Sequence, residues 1–219
     1  MREHDYEPVR GLPADLPEGE TLIWQGRPSA RRLACDAFHI RAVAAYFVLM
    51  MAWGAASGLT HGAKLGTLLA TQAAAIPISL AGLGLLAGLA FLNSRTTVYT
   101  ITSKRVVLRF GAGFMKAINI PFTVIDGASL KTYGDATGDL ALQLKAPNKI
   151  ALFQLWPHAR PGRFAQPEPT LRSVADVRAA GEALAKAMAD TIVLASGETV
   201  VAAPSPALTG PRLAGAVAA

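Results

Sequence analysis

Between Ala42 and Leu92 the chain runs for 51 residues with no Asp or Glu and with Lys64 as its one Lys or Arg. So long an uncharged block excludes a wholly soluble fold. It holds two apolar runs. The first, Ala42–Leu59, would span about 27 Å as a helix, close to the roughly 30 Å hydrocarbon core of a bilayer. The second, Leu65–Leu92, would span about 42 Å, so tilt, a kink at Pro77 or a protruding end is expected. Only Thr60–Lys64 separates them, which predicts a tight helical hairpin. The block also explains why charged residues make up only 16% of the chain, against about 25% in soluble domains. With 52% apolar residues, disorder is excluded as well.

No basic segment leads directly into the first run, and seven acidic residues precede it, so a retained span is expected rather than a cleaved signal. Arg27, Arg31, Arg32 and Arg41 precede the first run, and Arg95, Lys104, Arg105 and Arg109 follow the second. The excess of cations on these flanks predicts both termini in the cytoplasm and the short loop outside. Each run carries a Gly-x-x-x-Gly, Gly54 with Gly58 and Gly84 with Gly88. That spacing strips bulk from one helix face, either for packing within the hairpin or for docking of partner helices. His39 and His61 flank the first run and read as interfacial histidines, with pigment ligation the sharper alternative.

After Asn93 the apolar period becomes two. Val98–Thr102, Lys104–Phe110, Lys116–Ile120, Ser129–Tyr133, Asp139–Lys145 and Lys149–Trp156 read as strands, parted by Gly111–Gly113, Gly134–Gly138 and Pro147–Asn148. Pro157, Pro161, Pro167 and Pro169 then interrupt regular structure. A helix is expected after a Ser173 cap, with Val174, Val177, Gly181, Leu184 and Met188 on its apolar side. From Thr191 onward an Ala/Pro-rich tail follows, with a short strand at Thr199–Ala202.

The residues Tyr99-Thr100-Ile101-Thr102-Ser103-Lys104-Arg105-Val106-Val107, Gly111, Ile118-Asn119-Ile120-Pro121 and Ile125 resemble the signature of bacterial pleckstrin-homology-like domains attached to paired membrane spans. Glu20-Thr21-Leu22-Ile23-Trp24-Gln25-Gly26-Arg27-Pro28-Ser29 resembles the motif that precedes the spans in that superfamily. Leu155-Trp156-Pro157-His158-Ala159-Arg160-Pro161-Gly162-Arg163-Phe164, with Pro167-Glu168-Pro169-Thr170-Leu171-Arg172, resembles a narrower family, the photosynthetic-complex assembly proteins of purple bacteria. The resemblance covers roughly residues 10 to 190. It implies an α+β membrane protein: a two-helix transmembrane hairpin plus a pleckstrin-homology-like antiparallel β domain closed by a C-terminal helix. Residues 1–41 would form a cytoplasmic segment, 42–92 the hairpin (42–59 and 65–92), 93–190 the domain and 191–219 the tail.

Catalytic and metal-binding signals are missing from the sequence. Four histidines, at 4, 39, 61 and 158, have no second His or Cys at ligand spacing, and the one cysteine, Cys35, has no nearby His. Asp135 and Asp139 read as solvated turn residues, and Gly111–Gly113 as a hairpin turn lacking the helix that a phosphate loop needs. No catalytic, cofactor or metal residue is therefore expected, and an enzyme is not. What remains is surface. Between Asn93 and Ala165 ten Lys or Arg face three Asp. Lys104, Arg105, Arg109 and Lys116 are candidates for an anionic membrane surface, whether by general attraction or through a defined lipid pocket. Nucleic acid is a poor fit, since no stacking face accompanies the charge. Trp156, His158, Arg160 and Arg163 are candidate partner anchors, the alternative being a loop packed on its own domain.

The resemblance implies a non-enzymatic assembly factor for the photosynthetic reaction centre and core light-harvesting complex. It would sit in the bacterial inner (intracytoplasmic) membrane as a multi-pass protein, and homo-oligomers are possible. Its partners would be subunits of those complexes or other assembly factors. A lipid- or protein-binding module unconnected with photosynthesis is the alternative, and pigment delivery a third reading.

Overall fold

The two apolar runs form helices that exceed their apolar cores: α2 spans Ile40–Thr60 and α3 spans Leu65–Thr96, with α1, Ala30–Asp36, just before them. The computed structural model describes residues 11–12, 15–111 and 115–195. Both long helices are long and apolar enough to cross a membrane; no residue of α2 is buried, and in α3 Ala90, Asn93 and Ser94 are. A bare apolar surface of this extent does not persist in water. At about 48 Å, α3 is longer than a hydrocarbon core requires. Its surplus is the end carrying Ala90, Asn93 and Ser94, which is buried against the rest of the protein. Pro77 lies inside one continuous helix.

The hairpin is an insertion between two paired strands. β1, Leu22–Gly26, precedes it, and β2, Val98–Thr102, follows it; the two pair antiparallel, Gly26 opposite Tyr99. Both ends of the hairpin thus emerge on the same side. β3, Arg105–Phe110, and β4, Lys116–Pro121, complete a sheet in the order β1-β2-β3-β4. A second sheet holds β5, Ile125–Thr132, β6, Gly138–Leu144, and β7, Thr170–Val174, in sequence order. The sheets do not close into a barrel: among the described residues a lone bridge, Pro28 to Val174, joins their ends. α5, Val177–Ala195, covers the opening.

Alternation explains the packing. Tyr99 and Ile101 of β2, Val106, Leu108 and Phe110 of β3, and Leu140 and Leu142 of β6 all reach one core. Val177, Ala180, Leu184 and Ala187 of α5 close it, a stripe at helical spacing. Full burial of one such Leu is worth about 1.5–3 kcal/mol. β2 is buried on its other side too, because Gly11 and Leu12 lie over it. Gly11 has φ +88, and a Cβ there would collide with Val98, so glycine is required.

Several expectations need correcting. Residues 22–36 are not a separate N-terminal segment, since β1 is a strand of the first sheet. Lys149–Trp156 is not a strand. Residues 149–151 are irregular, and α4, Leu152–Leu155, is a single helical turn with the Trp156 amide donating to the Leu152 carbonyl at 3.0 Å. Pro147 and Pro157, which lack N–H groups, bracket this segment and leave it no ladder to join. Ser173 does not cap α5; it belongs to β7, and its amide donates to Asp139 Oδ1 at 2.7 Å. Asp176 takes the capping role by accepting from the Ala179 amide at 3.1 Å. Residues 191–195 continue α5 rather than beginning the tail, and Thr199–Ala202 lies outside the described residues.

Candidate functional site

The candidate surface cations are spread along β3 and its turns. β2 leaves α3 through Thr97 and runs away from it, and β3 returns, placing Arg109 opposite Val98 and Lys116 opposite Phe110. Arg109 and Lys116 therefore stand at the hairpin end. Lys104 and Arg105 lie at the far turn, four residues along the strand and roughly 13 Å away. The four cations expected on one membrane-facing hairpin are thus divided between opposite ends. Two acidic residues outside the basic window also offset its excess: Arg105 pairs with Glu20 at 2.9 Å, and Arg160 with Glu168 at 2.7 Å.

The Trp-Pro-His segment is likewise divided, this time between core and surface. His158 is fully buried and so is no partner contact. Asn93 Oδ1, at 3.1 Å from Nε2, can only accept, so Nε2 donates to it. Nδ1 then accepts from the Tyr99 hydroxyl at 2.7 Å. Thr97 Oγ1 also donates to Asn93 Oδ1, at 3.1 Å. Burial, and the nearby Arg172 guanidinium, push the His158 pKa down to about 3, so the ring is neutral. The chain from α3 to the loop is thereby bonded through one imidazole. Trp156, by contrast, is 57% exposed and meets Phe38 edge-on, with ring centroids 5.5 Å apart. Arg163 lies 3.6 Å from Glu168 and is largely exposed.

Arg172 is the second joint. It is buried, donates to the Asp36 carbonyl at 2.9 Å and to the Pro157 carbonyl at 3.3 Å, and lies 3.8 Å from Asp139 Oδ2. One guanidinium fork thereby ties α1, the proline loop and β6 together. Asp139 is buried as well, contrary to the solvated-turn expectation, and accepts from Tyr133 at 2.8 Å. Burial first, and then this hydrogen bond, raise the Tyr133 pKa. Asp135 does fit a solvated turn: Arg32 holds it at 2.9 Å and lowers its pKa. Beside Arg172 opens a cavity of about 430 Å³ lined in part by Cys35, His39, Lys131 and Tyr133. The sequence does not show that Arg172 and Asp139 are joints, because Asp36 lies 136 positions from Arg172 and Ser173 lies 34 from Asp139.

The glycine pairs differ. A Cβ on Gly58 would collide with Leu68 of α3, so the Gly54/Gly58 side serves packing within the hairpin. Gly84 and Gly88 have open space before them. His39, in a left-handed conformation with φ 51, precedes α2 and is exposed, and His61 Nδ1 donates to the Ser57 carbonyl at 2.8 Å.

Comparison with known proteins agrees with this architecture. The chain is 38% identical over 193 residues to the uncharacterized 23.7 kDa protein of the puhA 5′ region of Rhodobacter capsulatus, covering 85% of this chain and 89% of that one. A crystal structure of a DUF1696 family protein with a pleckstrin-homology domain from Shewanella loihica PV-4 superposes with a TM-score of 0.29 at 15% identity. It covers 42% of this chain and 71% of the other, too slight a likeness to add to the assignment. The bacterial PH domain family matches residues 38–188, which take in both long helices and β2 to β7, and the chain belongs to that family.

Proposed function

We propose that this protein is a non-enzymatic assembly factor for the photosynthetic reaction centre and its core light-harvesting complex, anchored in the bacterial inner membrane. The observation that carries the reading is the relative in Rhodobacter capsulatus, whose coding region adjoins puhA, a reaction-centre gene. Similarity over 89% of that protein makes a shared role the simplest account. The Trp-Pro-His-Ala-Arg-Pro resemblance supports it independently.

In this reading α2 and α3 cross the bilayer and the β domain lies on the cytoplasmic face. The arginines flanking the hairpin favour that orientation, and the β1–β2 pairing requires both flanks to share one side. The open Gly84/Gly88 side of α3 offers a close approach for a helix of a nascent subunit. Arg160 and Arg163 lie toward the domain's outer surface, where subunit tails would pass. The division of Lys104 and Arg105 from Arg109 and Lys116 counts against the alternative of a lipid sensor built on that basic set.

Deletion in a photosynthetic host tests the proposal by absorption spectra of its membranes. Reaction-centre and core-antenna bands should fall while pigment synthesis continues. Unchanged bands would sink the assembly role, as would purification of the tagged full chain without any subunit of either complex.

A further inference from the structure

The loop between β6 and β7 exposes aromatic side chains that the β domain has no use for. Leu155 of α4 points into the protein and is fully buried, whereas Phe153 is 83% and Trp156 57% exposed. Phe153 lies in the single turn α4 and Trp156 caps it, and both rings are turned to the outside. We propose that these two rings form an interfacial anchor, seated at the headgroup–acyl boundary of the leaflet that α2 enters, so that the β domain is held against the lipid surface. The proposal rests on the hairpin crossing the bilayer.

Three observations place the rings at that depth. Trp156 meets Phe38 edge-on, and Phe38 precedes the first residue of α2, Ile40, by two positions. His158, two residues beyond Trp156, is bonded to Asn93 of α3. Asn93 in turn sits between Phe91 and Arg95, whose guanidinium lies 5.0 Å over the Phe91 ring. An exposed aromatic with a cation stacked above it, at the end of an apolar helix, is the arrangement that marks a membrane interface. The loop is therefore fastened to α3 and to the segment leading into α2, at the level where each helix meets its apolar stretch.

The charge around the rings fits the same occupant. Lys116 Nζ lies 5.1 Å over the Phe153 ring, so the cation sits beside the aromatic face, as it would among phosphates above an apolar boundary. A tryptophan with one apolar body and one N–H is suited to that boundary. A protein partner would also use an exposed Trp, but it would not require attachment to α3 and to the approach to α2 at one depth.

The chain's three tryptophans supply their own controls: Trp24 in β1, Trp156, and Trp53 in α2, exposed along the apolar helix. The full chain carrying fluorotryptophan is reconstituted in nanodiscs containing phosphatidylglycerol, and fluorine NMR signals are assigned with Trp156→Phe. A doxyl label near the lipid headgroup should weaken the Trp156 signal severalfold and leave Trp24 unaffected. A label at the acyl-chain end should weaken Trp53 more than Trp156. Broadening of Trp156 by a soluble gadolinium chelate but not by lipid labels would overturn the anchor, and so would shielding from both. Failure of the membrane reading is separately visible, since Trp53 would then escape the chain-end label.

Discussion

The two ends of the β domain are built from different interactions. Toward α5 the core is apolar, with Leu108, Leu142, Leu171 and Leu184 in one cluster. At the hairpin end the buried groups are Asn93, Thr97, Tyr99, His158, Asp139 and Arg172, and the apolar cluster there, around Leu33, Phe38 and Ala90, is small. Apolar packing is non-directional and tolerates rearrangement at constant volume. Hydrogen bonds to fixed carbonyls do not. Both ends thus contribute stability, the polar end through buried groups that cannot lose a partner cheaply, and the polar end also sets a single orientation of the domain on its helices. The largest effect is expected where that polar joint is cut. Arg172→Met leaves Asp139 buried beside an uncharged group and strips the Asp36 and Pro157 carbonyls of donors. A loss of about 3–5 kcal/mol is expected in unfolding of the reconstituted chain. A loss below that of Leu142→Ala, about 2–5 kcal/mol for a core leucine, would break the contrast.

Legibility in the sequence followed the same division. The hairpin, five of seven strands and α5 were readable, because apolar periodicity is a local signal and these elements bury one side against a common core. β1 and β7 were not. β7 is buried at every position and carries Arg172 and Ser173, so its sequence does not alternate. Lys149–Trp156 alternates yet forms no strand, because prolines on both sides deny it partners. Of the candidate anchors, Trp156 is on the surface and His158 is not. A side chain two residues from an exposed Trp gives no sign of its burial when its partners, Asn93 and Tyr99, lie some sixty positions earlier.

A smaller effect separates the ends by pH. His158 titrates near 3 when folded and near 6.5 when unfolded. Below pH 6.5 the unfolded chain takes up a proton that the folded chain refuses, so stability falls with acidification and is flat above that value. The loss reaches about 2 kcal/mol by pH 5. Stability curves of wild type and His158→Gln should keep a constant gap above pH 6.5 and converge as the pH falls toward 4, since the wild type alone loses stability through this proton. Parallel curves would show that the imidazole is charged or solvated in the folded protein. A core variant such as Leu142→Ala should run parallel to wild type throughout.

The smallest expected change tests whether the polar end provides orientation as well as stability. Thr97 donates to Asn93 Oδ1 and stands at the exit of α3, where the helix turns into β2. Thr97→Val keeps the shape and the β-branch but removes the donor, at a cost of about 1 kcal/mol. Asn93 Oδ1 retains the His158 N–H, so the joint is loosened rather than cut. If the network sets the domain's pose, distances between spin labels on α5 and on the short loop joining α2 to α3 should broaden in the variant. The same distances should stay narrow in Leu142→Ala, which is the less stable of the two. Broadening in the core variant and not in Thr97→Val would assign the pose to apolar packing and remove the distinction between the two ends.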